Sequence, residues 1–221
     1  MKKSRGIILF LLSSFIFVAC KKQDTSFNNT QLADYMPLQP GKYIHYRLDS
    51  LRFIDFGQRD TIISYDAKDV VDGQFTDADG RTTYRVIRYL RDVASTNVED
   101  YIAHVTYFVT PSRESVELQE NNLKFQKLRS PVNEGFNWHG NTYLPSTPYY
   151  SVYQFSNDED IHLWNYTYTY VNEPVTINDV NYDSTVTVSQ VADSSNVPIE
   201  FPDGLAYKNY WTEIYARNVG L

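Results

Sequence analysis

The chain has 221 residues, enough for one domain or two small ones with a buried core, and a formal net charge of −7. That acidic balance disfavours nucleic acid and polybasic docking on anionic lipid. Nineteen Tyr and twelve Phe, against two Met and nine Gly, favour strands over helices.

The first twenty residues read as a targeting segment. Lys2, Lys3 and Arg5 form a basic head, Gly6 to Val18 an apolar run, and small Ala19 leads into Cys20. The run is too short to span a bilayer, which takes about 20 apolar residues, and matches the hydrophobic region of a secretory signal. Phe17-Val18-Ala19-Cys20 resembles a bacterial lipobox, with Phe17 where Leu is usual. The resemblance implies cleavage before Cys20 and lipid attachment to its sulfur. Cys20 is the sole cysteine, so no disulfide partner exists in an oxidising compartment. Cleavage there removes Lys2, Lys3 and Arg5 and no acidic residue, taking the formal charge from −7 to −10. Lys21 follows the cysteine in place of the aspartate that retains lipoproteins in the inner membrane, so the resemblance points to the outer membrane, on either leaflet.

Lys21 to Tyr35 is polar and aperiodic and reads as a flexible tether, up to about 50 Å when extended. Met36 to Gly41 reads as a turn into a strand over Lys42–Phe56, with Ile44, Tyr46 and Leu48 on one face. Further strands are expected over Thr61–Val71 and Thr82–Leu90, around the turn Asp77-Ala78-Asp79-Gly80. Tyr101 to Thr110 alternates and is stopped by Pro111. Ser115–Leu118 and Leu123–Leu128 flank a hairpin turn at Glu120-Asn121-Asn122. The composition shifts at Ser130-Pro131, which suggests halves of 36–130 and 131–221. Beyond it, Tyr149–Phe155 reads as extended. The clearest alternation sets Trp164, Tyr166, Tyr168 and Tyr170 on one face. Asn178-Asp179 precedes Asn181–Val191, and the last strand runs from Lys208 to about Arg217.

No window carries a sustained helical apolar period. The expected fold is an all-β, mainly antiparallel curved meander from Met36 to Leu221, closing into an open barrel or sandwich.

Pro37-Leu38-Gln39-Pro40-Gly41-Lys42-Tyr43-Ile44-His45-Tyr46 resembles the PL-x-x-G-x-x-W/Y-x-Y opening of Bacteroidota-type outer-membrane lipoproteins. Gly135-Phe136-Asn137-Trp138-His139-Gly140-Asn141 and Ile214-Tyr215-Ala216-Arg217-Asn218-Val219-Gly220-Leu221 also resemble that family. It has no established catalytic residue, so the resemblance implies location and a β-rich fold rather than activity. Its members usually run through another strand after Val-Gly-Leu, so the chain is either naturally shorter or incomplete at its C-terminus.

Candidate chemistry is sparse. His45, His104, His139 and His162 have no ligand spacing, and no metal or other cofactor is expected. Asp77-Ala78-Asp79-Gly80 and Asn157-Asp158-Glu159-Asp160 are oxygen-rich but lack a calcium-loop pattern, and read as solvated turns. No nucleophile elbow, phosphate loop or His-Glu-x-x-His occurs, so no catalytic residue is assigned. Three triplets, Asp49-Ser50-Leu51, Asp60-Thr61-Ile62 and Asp183-Ser184-Thr185, resemble the O-glycosylation sequon of the same bacteria. The stripe Trp164, Tyr166, Tyr168 and Tyr170 is the candidate ligand surface, set against ordinary cross-strand packing.

Two functions remain. One is a non-enzymatic envelope binding or scaffold protein, held to the membrane by lipid on Cys20, with a protein or glycan partner. The other is an envelope hydrolase acting on glycans, with carboxylates such as Glu99 and Asp100 gathered by folding.

Overall fold

The structure is a computed structural model that describes residues 32–55, 59–149, 160–204 and 206–221. Ten strands form two antiparallel sheets, and no α-helix occurs among the described residues. The first sheet is a six-stranded meander: β1 (Tyr43–Ile54), β2 (Arg59–Thr76), β3 (Thr82–Asp92), β4 (Ile102–Pro111), β5 (Ser115–Glu120) and β6 (Leu123–Arg129). The second holds β7 (Asn137–His139), β8 (Asn165–Ile177), β9 (Val180–Ser195) and β10 (Tyr207–Ala216), again in chain order. The all-β antiparallel fold read from the sequence is the fold observed.

Local chemistry sets the turns. Asn121 and Asn122 both take left-handed backbone angles between β5 and β6, as do Asn178 and Asp179 between β8 and β9. Two such residues in a row give the turn whose twist matches a hairpin, and Asn and Asp tolerate it best after Gly. At Asp77 the side chain accepts from the backbone N–H groups of Asp79 and Arg81, which closes the β2–β3 turn. The same carboxylate receives the Arg81 guanidinium at 2.9 Å.

The first sheet curls into a half-barrel. Register shifts fall at Val71/Gly73 of β2, at Arg88/Tyr89 of β3 against β4, and at Val116/Glu117 of β5 against β6. Each inserts one unpaired residue and sharpens the local bend. One core joins both sheets, with Val86, Tyr107, Val109, Val116 and Leu128 packed with Trp138, Tyr166, Tyr168, Val186 and Val188. Hydrogen bonds cross as well: Trp138 Nε1 donates to the Gln126 carbonyl and Tyr168 Oη to that of Arg129, both at 2.8 Å.

The ordered body starts earlier than the sequence suggests. Leu32 and Tyr35, read as the end of a tether, are buried in the core. Asp34 is held there by Arg217, and its carbonyl accepts from the Asn218 N–H at 2.6 Å. Two apolar side chains within a polar stretch suffice to dock one short turn.

Candidate functional site

The site begins with the inward register of β1 to β4. Alternation puts Ile44, Tyr46 and Leu48 inward on β1, Ala67, Asp69 and Val71 on β2, and Val86 and Arg88 on β3. Asp69 and Arg88 face each other across the β2–β3 ladder. Arg88 donates through Nε at 2.8 Å and through Nη2 at 2.9 Å to the two carboxylate oxygens of Asp69. The Tyr46 hydroxyl adds a bond at 3.1 Å and that of Tyr107 one at 2.8 Å. Asp69 is 5% exposed and thus accepts four hydrogen bonds, which fills a carboxylate's lone pairs. Burial first, and the Asp69 charge second, push the Tyr46 and Tyr107 hydroxyls far above the usual tyrosine range. Both remain neutral donors.

The second polar group spans the sheets. Lys127 on β6 donates to Glu213 Oε1 on β10 at 2.6 Å, and the Tyr215 hydroxyl donates to Glu213 Oε2 at 2.6 Å. Lys127 is the extra residue at the β5–β6 register shift. Tyr215 is fully buried and its ionisation is strongly suppressed, by burial and then by the Glu213 charge.

Between these groups lies an open cleft of about 1250 Å³. Its walls are mainly apolar, including Ile44, Leu48, Val86, Leu118, Phe125 and Ile214. Trp164 and Trp211 also line it and meet edge to face at 5.8 Å. An apolar concavity with a few convergent polar groups is the usual form of a small-molecule site.

The residues singled out from the sequence separate. Trp164 lines the cleft, partly buried, and Tyr166 lines it from within the core. Tyr168 is fully buried, its ring tilted 46° against that of Trp138 with centroids 4.7 Å apart. Tyr170 is 58% exposed on the opposite face. The cause is a bulge: Tyr168 pairs with Val188 but Tyr170 with Thr187, so Thr169 is extra and the alternation reverses. The four aromatics therefore form no single surface.

Cys20 lies outside the described residues, as do Asn157, Asp158 and Glu159 of the acidic loop. His104 and His139 are exposed, and His162 is partly buried. His45 meets Asp66 on the outer face, beside Arg91 and Tyr101. Glu99 and Asp100 sit on an exposed turn, where Asp100 accepts from the Ser95 hydroxyl and the Asn97 amide. Among the described residues, no three His, Cys, Asp or Glu side chains gather as a metal site.

The motif Gly135 to Asn141 is architectural. Asn141, almost fully buried, accepts from the Tyr166 hydroxyl at 2.6 Å and donates to the Ile161 carbonyl at 3.0 Å. Gly140 lies flat under the Tyr166 ring, where a Cβ would overlap the ring carbons.

Asp69, Arg88, Lys127 and Glu213 escape the sequence reading. The signal for Asp69 is a charge in inward register between two apolar residues. On β2 the inward side chains run Ala67, Asp69, Val71, and the aspartate is the lone charge among them.

No protein-family model, curated protein or solved structure matches the chain.

Proposed function

We propose that the chain is a lipid-anchored cell-envelope protein that binds a ligand without transforming it. The anchor is lipid on Cys20, the outer membrane is its location, and the cleft between the sheets is its binding face. The supporting observation is the state of the carboxylates in the cleft. Among the described residues, Asp69, Glu120 and Glu213 are the acidic residues on its lining. Asp69 spends its lone pairs on Arg88, Tyr46 and Tyr107, and Glu213 is held by Lys127 and Tyr215. That leaves Glu120, whereas glycoside hydrolysis takes an acid and a second carboxylate. The glycan hydrolase is therefore the weaker reading.

The binding is tested with 1-N-phenylnaphthylamine, a neutral fluorophore that brightens in apolar surroundings. The full chain should enhance its emission saturably with one site per chain, and Ile44→Trp, which sets an indole into the cleft, should weaken the enhancement. Emission that is unchanged by Ile44→Trp would overturn the reading. The anchor is tested by metabolic labelling with a fatty acid and membrane fractionation. Cys20→Ser should lose both the label and the membrane association, because a serine carries none of the acyl chains that hold a lipoprotein at about 0.8 kcal/mol per buried CH₂.

A further inference from the structure

Among the described residues on the cleft lining, one buried side-chain polar atom has no hydrogen-bond partner. Gln190 on β9 is 3% exposed and lines the cleft, and its Nε2 is buried with no hydrogen-bond partner. Among the described residues, the other buried side-chain atoms in that condition belong to Gln126 and His162, which do not line the cleft. The position of Gln190 is built into the sheet. Trp211 pairs with Val191 and Thr212 with Ser189, so Gln190 is the extra residue of a bulge. It follows buried Val186 and Val188 on the inward face. A buried amide donor without a partner costs stability, and such groups are rare unless something else satisfies them.

The most buried charges in the cleft cancel in pairs. Asp69 is matched by Arg88, and Glu213 by Lys127. A ligand with a net charge would bring an uncompensated ion into this setting, which is disfavoured. An apolar body is favoured by the walls, and an acceptor oxygen by Gln190.

We propose that the ligand is a neutral amphiphile, an elongated apolar molecule whose carbonyl or hydroxyl oxygen accepts from Gln190 Nε2. This rests on the cleft being the binding face, and it adds the class of ligand. The probe is 1-N-phenylnaphthylamine on the full chain, displaced by 1-monopalmitoylglycerol or by palmitate, each below its micellar concentration. The neutral glyceride should displace the fluorophore at a concentration about tenfold lower than palmitate. Gln190→Met, near in shape but without the donor, should weaken the glyceride about five- to tenfold relative to the fluorophore, whose own affinity is measured on each variant. Gln190→Leu serves if the methionine variant does not fold, and the comparison of the two competitors needs no variant. Palmitate competing as well as the glyceride, or a glyceride indifferent to Gln190, would overturn the ligand class and leave the binding cleft standing. A fluorophore that ignores Ile44→Trp would overturn both.

Discussion

Lys127 Nζ on β6 and Glu213 Oε1 on β10 meet at 2.6 Å with side chains only 12% and 11% exposed, tying an edge strand of one sheet to an edge strand of the other. Removing one partner strands the other charge away from water. Lys127→Met should cost about 3–5 kcal/mol in urea unfolding, as buried pairs do when broken on one side. Adding Glu213→Gln, which still accepts from Tyr215, should recover most of that loss. Equal instability of the single and double variants would show that the pair matters through packing rather than charge.

Asp69 organises the opposite wall. Asp69→Asn removes the charge that Arg88 pairs with, and Arg88 keeps some exposure, so the loss should be about 2–4 kcal/mol, at or below the buried-pair range. The Asp69 charge also helps to suppress ionisation of Tyr46 and Tyr107. In the variant both tyrosines should therefore ionise at lower pH than in the wild type, by ultraviolet difference titration. An unchanged tyrosine titration would remove Asp69 as a cause.

Gly140 carries a steric requirement. A methyl group there meets the Tyr166 ring, which is fully buried and cannot swing away without giving up Asn141. Gly140→Ala should destabilise by about 1–3 kcal/mol, the usual cost of overpacking. Thermal unfolding reads this directly, and a neutral result would mean that the β7 segment yields.

Acid should loosen the outer face of the first sheet. Burial raises the Asp66 carboxyl, but hydrogen bonds from Arg91, Tyr101 and His45 outweigh it and hold the carboxyl below its ordinary value. A lowered folded value gives stability that is present above the unfolded range, about 4, and is lost as the pH falls through the folded value. Asp66→Asn should flatten that acid limb in unfolding measured between neutral pH and about pH 2. A limb of unchanged steepness would place the acid sensitivity elsewhere.

Strand alternation and paired Asn or Asp turns made most of the meander legible, since inward Ile44, Tyr46 and Leu48 and the turn at Asn121-Asn122 follow from local chemistry. Bulges were not legible. Thr169 reverses the face of Tyr170, and Lys127 reaches the second sheet from a bulge. One inserted residue leaves no mark in a pattern of period two, yet it moves every side chain after it to the other face. The cleft was hidden for a related reason, because the sequence does not state how two sheets meet.

The most direct measurement of ligand position is photo-crosslinking. The full chain is irradiated with a diazirine-bearing neutral monoacylglycerol, and the labelled peptides are mapped by mass spectrometry. Adducts should fall on cleft-lining residues of β1, β6 and β10, and excess unlabelled monoacylglycerol should suppress them. Adducts confined to the outer face, around exposed Tyr170 or Ile62, would contradict a binding site between the sheets.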